Sequence, residues 1–259
     1  MAASGGVQSV ERAFELLEIM AASGGSIGIS ELAEAADLPM PTVHRLVGTL
    51  VSLGCVRRLA SRRYALGTKL IGLGDSATKL IGGWAKPYLA ELVRATHETS
   101  NMAFLEDDMA VYVAQVPSEH AMRMFNEVGQ RVPPHCTGVG KALLAQMGDD
   151  EVRALVARTG MTPRTVNTLT TLDTLLADLE LVRSRGYAID DGEQEIGVRC
   201  FAVPVVGAPT LTAMSIAGPT ARVTLEAGET FVPLLASAAE RLSKDLANDL
   251  GSGSLPTRS

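Results

Sequence analysis

The sequence predicts an α+β protein with a small N-terminal module and a larger second domain, and three observations lead to this prediction. Residues 7–67 combine three segments of helical apolar spacing with two short strand-like segments. Residues 84–250 mix helical and strand-like segments in an irregular order, which favours a mostly antiparallel central sheet. Residues 68–83 lie between them, show helical spacing and end at Gly82-Gly83, so they are predicted to form a linker helix.

The first predicted element is a helix from Val7 to Ala22. Its apolar residues recur at the spacing of one helix face, and glutamates occupy the other face. The Ser23-Gly24-Gly25 sequence that follows is typical of a helix C-terminus. The residues predicted to face the core are Val10, Phe14, Leu17 and Ala21.

A helical hairpin is predicted over residues 29–48. Ser30 is expected to cap the first of its helices, and Asp37-Leu38-Pro39 forms the turn because proline lacks an N–H and fixes φ. The second helix carries apolar residues at i, i+3, i+4 and i+7 from Val43 to Leu50, which indicates one buried face. Its outward face holds polar side chains and one arginine, as in a helix that reads DNA bases. These outward residues are Thr42, His44, Arg45 and Thr49.

Two short strands, 54–58 and 62–66, are predicted to form a β-wing beside the helices, with a turn at 59–61. A wing that carries four arginines is well placed to contact phosphates on either side of the base-reading helix. The four are Arg57, Arg58, Arg62 and Arg63.

The charge distribution favours DNA binding over simple packing as the role of this module. The chain holds 23 Lys+Arg against 29 Asp+Glu, yet no Asp or Glu occurs from Leu38 through Gly74, where six basic residues lie. A basic patch without acidic neighbours on an acidic protein is typical of a contact with the DNA backbone. We therefore expect double-stranded DNA as a partner.

The remaining composition excludes several classes of protein. An apolar content of 46% is that of a globular chain, and residues 251–259 are small and polar, which predicts a disordered tail. No apolar run approaches the ~18 residues of a membrane helix, and no signal peptide is recognisable. Three cysteines without paired spacing indicate neither a disulfide framework nor a zinc site. We expect a cytoplasmic protein without cofactor, metal or membrane partner.

Several collinear motifs resemble one known family. They are Val7-Gln8-Ser9-Val10-Glu11-Arg12-Ala13, Leu38-Pro39 with Thr42-Val43-His44-Arg45-Leu46, the segment 135–144, Gly186-Tyr187-Ala188-Ile189-Asp190-Asp191, and Met214-Ser215-Ile216-Ala217-Gly218-Pro219. Together these motifs, which span roughly Val7 to Leu250, resemble the IclR family of bacterial transcription regulators.

The resemblance implies a domain organisation and an assembly. Residues 7–67 would form a winged helix-turn-helix, residues 68–83 a linker helix, and residues 84–250 a GAF-like effector-binding domain. The family implies a homodimer or homotetramer, acting most often as a repressor. Within the family, Met122-Arg123-Met124 and residues 133–144 look most like regulators of allantoin and glyoxylate metabolism.

The second domain is predicted to hold a small molecule at residues 133–141, a glycine-containing loop that enters a helix. Free N–H groups at a helix N-terminus favour an anion, so a small carboxylate is the expected effector. A phosphate-binding P-loop is excluded, because His135 and Ala142 stand where that motif needs Gly and Ser or Thr. Asp190, at the end of a predicted strand, is expected to accept a hydrogen bond from a hydroxyl or ureido group of the effector.

The resemblance adds further residues to this predicted site. It implies that a small 2-oxo acid, hydroxy acid or ureide is held by polar and backbone groups and covered by an apolar wall. The holding residues would be Gly138, Val139, Asp190, Cys200 and Ser215, and the wall would be Met124, Val132 and Val198. Ala217 stands where relatives that bind glyoxylate often have serine, which leaves room for a larger or less polar guest.

Two other functions are compatible with the residues alone. Cys136 or Cys200 could act with His135 as the nucleophile and base of a thiol enzyme. The second domain could instead serve only to oligomerise a DNA-binding scaffold. For the regulator, we expect the effector to change the spacing of two DNA modules across the linker helices of a dimer.

Overall fold

The computed structural model describes residues 6–81, 83–122 and 128–252. The chain divides into two compact units, Met1–Ala77 and Thr78–Ser259, called here the N-terminal and C-terminal units. The division lies inside a helix that begins at Lys69. No helix among the described residues is long and apolar enough to cross a membrane.

The N-terminal unit is a three-helix cluster with a two-stranded antiparallel wing, as predicted. Its core forms where Leu16 of the first helix, Leu32 of the second and Val43 of the third meet, each fully buried. The elements are α1 Gln8–Ala22, α2 Ile29–Ala35, α3 Met40–Ser52, β1 Val56–Arg58, β2 Tyr64–Leu66 and the start of α4 Lys69–Ile81.

The prediction of which α1 residues face the core is wrong in part. Val10 and Phe14 are 53% and 62% exposed, whereas Leu16 and Met20 lie in the core. The helix carries two apolar stripes, and periodicity alone cannot say which of them the hairpin covers. A hydrophobic stripe on α1 therefore remains on the surface.

Two local predictions in this unit also differ from the structure. Ser30 is not the N-cap of α2, because the N-cap is Gly28, two residues earlier, and the Glu31 carboxylate accepts the Gly28 N–H at 3.4 Å. Arg62 and Arg63 lie in the wing turn rather than in the second strand, which begins at Tyr64. Arg62 has a φ of 63°, a left-handed conformation that a strand cannot contain.

The C-terminal unit is built on a six-stranded sheet in the order β5-β4-β3-β8-β7-β6, with every neighbouring pair antiparallel. This confirms the predicted sheet. The strands are β3 Thr99–Glu106, β4 Met109–Val116, β5 Arg131–Val132, β6 Ala188–Asp191, β7 Val198–Pro204 and β8 Thr212–Pro219. The helices are α5 Lys86–Thr96, α6 Gly138–Leu144, α7 Asp149–Thr159, α8 Leu172–Arg185 and α9 Gly228–Ser252, and a 3-10 turn lies at Pro134–Cys136.

The sequence missed β5 and the 3-10 turn. β5 is only two residues long, too short to show alternation. The sequence also predicts a strand over residues 122–126. This segment lies outside the described residues except for Met122, which forms a bend.

The sheet separates two hydrophobic layers because alternate strand residues point to opposite faces. On one face Met102 and Met214 pack against α5 and α9. On the other face a row of alanines packs against α6 and α8, at Ala103, Ala202 and Ala213. Small side chains let α6 approach the sheet closely, and the candidate ligand cavity lies on this second face.

Candidate functional site

The first candidate site is the outer surface of α3. His44, Arg45 and Thr49 are exposed, and Thr42 is half-buried in the first turn. Val43 and Val47 anchor the opposite side of the helix in the core. The Thr49 hydroxyl donates to the Arg45 carbonyl at 3.1 Å, which leaves its oxygen able to accept a further bond. The helix thus exposes a row of polar groups on one side while its other side is packed in the core.

The wing adds cationic side chains to this unit. Arg57 and Arg58 are exposed on β1, and Arg62 is exposed in the turn, where its N–H donates to the Leu59 carbonyl at 3.0 Å. The left-handed conformation of Arg62 places its side chain at the wing tip without a strand neighbour. Exposed arginines at such a hairpin are suited to phosphate contacts.

Arg63 differs from the other three wing arginines. Its guanidinium donates to both oxygens of Glu31, at 3.0 and 2.9 Å, and also to the Ser26 carbonyl at 2.9 Å. This hydrogen bonding lowers the pKa of the Glu31 carboxyl below its ordinary value. The expectation that no acidic residue balances the wing was therefore wrong for Arg63, because Glu31 reaches it from outside the acid-free window.

The second candidate site is a cavity of about 110 Å³ in the C-terminal unit. Five of the eight residues predicted to surround an effector line it: Val132, Gly138, Asp190, Val198 and Cys200. The rest of the lining is Tyr112, Gln130, Thr137, Gln194, Glu195 and Ala217. Met124 lies outside the described residues.

Strand register brings the distant lining residues together. Asp190 pairs with Cys200 across β6 and β7, and Cys200 pairs with Ala217 across β7 and β8. Directly opposite residues of an antiparallel pair point to the same face, so these three form one row beneath the cavity. A Cβ at Gly138 would lie 2.7 Å from the Cys200 sulfur, which explains why glycine begins α6 at this point.

Val139 and Ser215 are buried beside the cavity and are not among its lining residues. Val139 has no exposed surface and packs in the layer between α6 and the sheet. Ser215 is two residues from Ala217 on the same face of β8, and its hydroxyl accepts from Asn101 Nδ2 at 3.4 Å. In this structure the Ser215 side chain hydrogen-bonds the neighbouring Cys200 and does not line the cavity.

The start of α6 offers fewer free N–H groups than the sequence suggested. Thr137 caps the helix, since its hydroxyl accepts from the Gly140 N–H at 3.2 Å and donates to the Pro133 carbonyl at 3.1 Å. The Val139 N–H is directed at the Cys200 sulfur. An anion at this helix therefore meets fewer backbone donors than the sequence suggested.

Asp190 is the most constrained polar group of the lining. The residue is 4% exposed, and its Oδ1 accepts the N–H groups of Glu193 at 2.8 Å and Gln194 at 3.4 Å. Burial raises the pKa of Asp190 to about 7, because the charged form loses its hydration. The same carboxylate thus shapes the loop that carries Gln194 and Glu195.

A buried ion cluster lies behind this loop. Lys141 on α6 is 1% exposed, and its ammonium is 2.5 Å from Glu193 Oε1 and 3.0 Å from Asp178 Oδ2. The Asp178 contact lies outside hydrogen-bond angles, and Glu193 Oε2 is buried with no hydrogen-bond partner among the described residues. The positive charge of Lys141 is therefore already compensated by two carboxylates.

The cysteines do not form an activated nucleophile. Burial raises the pKa of Cys136 and of Cys200 to about 12, so both remain thiols. The Cys136 thiol donates to Gln194 Oε1 at 3.1 Å, while His135 Nε2 faces the Thr162 carbonyl at 3.2 Å. Burial also lowers the pKa of His135. Cys136 and His135 therefore bond other groups rather than each other, which does not favour the hypothesis of a thiol enzyme.

Five polar lining residues were not singled out from the sequence, although Thr137 lies within the predicted binding loop 133–141. Thr137 had a detectable signal, because it precedes a helix as a cap residue does. Tyr112, Gln130, Gln194 and Glu195 had none, since strand facing and loop direction depend on pairing that one sequence does not specify. Among the described residues, no cluster of side chains suited to a metal ion is present.

Comparison with known proteins was made for both units. The family model described as the IclR helix-turn-helix domain matches residues 9–60, and the model described as bacterial transcriptional regulator IclR C-terminal matches residues 79–244. The transcriptional repressor IclR of Escherichia coli K12 is 36% identical over 93% of this chain and 90% of its own length. The repressor AllR of the same organism is 32% identical over 85% of this chain and 83% of its own length.

Solved structures agree with these matches. A putative transcriptional regulator from Rhodococcus sp. RHA1 superposes with a TM-score of 0.83 at 32% identity, over 94% of this chain and 99% of that one. An IclR homologue from Microbacterium hydrocarbonoxydans, crystallised with 4-hydroxybenzoate, gives a TM-score of 0.81 at 25% identity, over 93% of this chain and 99% of that one.

Proposed function

The chain belongs to the IclR family of DNA-binding transcriptional regulators, and we propose that it is a repressor controlled by a small carboxylate effector. The observation that carries the proposal is the coexistence of two chemically different sites. One unit presents an exposed polar helix with a basic wing, and the other encloses a polar cavity. A regulator needs both, whereas a scaffold needs no cavity.

The N-terminal unit would read DNA by a division of labour. Thr42, His44, Arg45 and Thr49 on α3 would contact base edges in the major groove. Three wing arginines would contact phosphates and fix the register of the helix, namely Arg57, Arg58 and Arg62. Arg63, first expected to share this role, would act by holding the wing against α2 through Glu31.

The C-terminal unit would bind a small acid, such as a 2-oxo acid, a hydroxy acid or a ureide. The cavity volume of about 110 Å³ suits a molecule of this size, and Val132 and Val198 give it an apolar side. The homologue crystallised with 4-hydroxybenzoate supports a carboxylate as the class of guest. Ala217 in the floor, in place of a serine, favours a guest larger than glyoxylate.

A homodimer or homotetramer is the expected assembly. Val7, Val10 and Phe14 form an exposed apolar stripe at the start of α1, and Ile71 and Leu73 are exposed on α4. Large exposed apolar groups on the same unit are typical of a surface that another subunit covers. A symmetric dimer would present two α3 helices to half-sites about one helical turn apart.

Two linked experiments test this function. A thermal-shift panel of small carboxylates and ureides should include at least one compound that stabilises the protein, by about 2.7 kcal/mol at ~100 times its Kd. Fluorescence anisotropy on duplexes selected from a random library should then show salt-dependent binding that the compound changes. Duplex binding that ignores salt would contradict the DNA proposal, and the absence of any stabilising compound would favour the scaffold.

A further inference from the structure

The cavity that would hold the acid carries negative rather than positive charge. Among its described lining residues, Asp190 and Glu195 are acidic and none is a lysine or arginine. The nearby buried cation, Lys141, is bound by Glu193 and Asp178. A carboxylate guest therefore meets no lysine or arginine among the described lining residues that would compensate its charge.

The two oxygens of Asp190 have different environments. Oδ1 accepts two backbone N–H groups, from Glu193 and Gln194, and those bonds fix its direction. Both hydrogen bonds that Asp190 accepts from described residues thus go to Oδ1, which leaves Oδ2 to the cavity that the carboxyl lines. A proton on Asp190 would therefore reside on Oδ2, where it can be donated to a guest.

The groups that surround Asp190 make its ionised form costly. Asp178 and Glu193 both contact Lys141, the one buried cation among the described residues, and the negative charge of Glu193 also acts on Asp190. A guest carboxylate would add a further negative charge, and two adjacent carboxylates cannot both stay ionised at low cost. The titratable or charged groups that face Asp190 are Glu193 and Glu195 of its own loop, Lys141 of α6, Cys136 of the 3-10 turn, Cys200 of β7 and Tyr112 of β4.

Tyr112 supplies a second donor in the same space. Its side chain lines the cavity, and Cys200, Asp190 and Cys136 act on its hydroxyl through charge rather than through a hydrogen bond. Burial raises the pKa of Tyr112, so the hydroxyl keeps its proton. With Asp190 protonated, the cavity presents two neutral O–H donors.

We propose that the cavity binds its carboxylate effector together with one proton, which Asp190 Oδ2 holds and donates to the guest, with the Tyr112 hydroxyl as the second donor. This inference rests on the proposed effector function of the cavity. One proton is taken from solvent, one O–H···O hydrogen bond forms, and no covalent bond to the guest changes. Affinity then falls as pH rises through the titration of Asp190 in the empty site.

Calorimetric titrations with matched ligands test the proposal. Pyruvate and 4-hydroxybenzoate are each compared with their uncharged amides from pH 6 to 8.5. Above the titration of Asp190, the Kd of each acid should rise about tenfold per pH unit, while that of each amide stays constant. Titrations at pH 8 in two buffers of different ionisation enthalpy should show the uptake of about one proton per acid bound. This measurement needs no variant.

Variants then locate the proton. Asp190→Asn keeps the shape of the side chain and provides a permanent donor, so its Kd for the acids should not depend on pH and should be lower than that of the wild type at pH 8.5. Glu195→Gln, a change at an exposed carboxylate of the same lining, should retain the pH dependence. Tyr112→Phe should weaken acid binding at every pH without changing the slope.

The possible failures are distinguishable. Acid binding with a constant Kd in the wild type, or a wild-type slope in Asp190→Asn, would overturn the proton coupling and leave the effector function standing. If neither the acids of this test nor any carboxylate of the thermal-shift panel bound between pH 6 and 8.5, the effector proposal itself would be overturned, and the coupling with it.

Discussion

The wing of the N-terminal unit and the cavity of the C-terminal unit use charge in opposite ways. Arg57, Arg58 and Arg62 are exposed, of one sign, and hydrated. Lys141 and Asp190 are buried, of opposite sign, and held by specific partners. Exposed charges act over a Debye length and weaken with salt, whereas buried charges act at contact and change their pKa. The wing is therefore tested by varying the salt concentration, and the cavity by varying the pH.

The largest expected effect is at the buried cation. Lys141→Met should lower the free energy of unfolding by about 3–5 kcal/mol, because it leaves Glu193 and Asp178 without a compensating charge. Urea denaturation at neutral pH measures this change. Lys244→Met, which removes an exposed partner of Glu240, is the matched control and should have little effect. Equal effects of the two changes would refute the contrast between buried and exposed pairs.

The second prediction concerns the pH dependence of stability at Asp190. The folded state holds this proton up to about pH 7, whereas an unperturbed aspartate releases it near 3.8. The folded state thus binds more protons than the unfolded state in this window. Asp190 therefore lowers the free energy of unfolding of the wild type by up to about 1.4 kcal/mol for each pH unit as pH rises.

Asp190→Asn removes that loss. The stability of the variant relative to the wild type should increase from pH 4 to pH 7 and then level off, as followed by chemical denaturation. Glu195→Gln should run parallel to the wild type. Parallel curves for Asp190→Asn as well would show that Asp190 titrates at its ordinary pH.

The third prediction concerns base reading by α3. Arg45→Ala should weaken binding to a selected operator by about 1–3 kcal/mol and relax the preference for one base pair. Anisotropy with the selected duplex and with single-base variants measures both effects. Arg153→Ala, an exposed change on α7, is the control. A uniform loss across all sequences would instead assign Arg45 to the backbone.

The smallest expected effect separates two neighbouring arginines of the wing. Arg62→Ala should reduce the slope of log K against log salt by about 1, the value of one phosphate contact. Arg63→Ala should leave this slope unchanged, because Glu31 already binds its guanidinium. Glu31→Gln should raise the slope by up to about 1, because it frees the Arg63 guanidinium for a phosphate. A smaller slope of log K against log salt in Arg63→Ala would show that Arg63 also contacts a phosphate.

Much of the fold could be predicted because local patterns are strong in it. The Val43–Leu50 stripe, the Pro39 break and the Ser23-Gly24-Gly25 helix end each specify their structure within a few residues. The two-residue β5 and the inner face of α1 could not be predicted. In both cases the choice was made by residues distant in the chain rather than by the local pattern.

The sequence by itself determined the helix-turn-helix, the antiparallel sheet, the basic window and the family, because periodicity, turn residues, net charge and collinear motifs are properties of the chain. Only the tertiary structure decided how charges pair and which residues share a cavity. Glu31 reaches Arg63, and Asp190, Cys200 and Ala217 align, through contacts between residues far apart in sequence. The same packing takes water away from Asp190, and its titration near neutral pH follows from that burial.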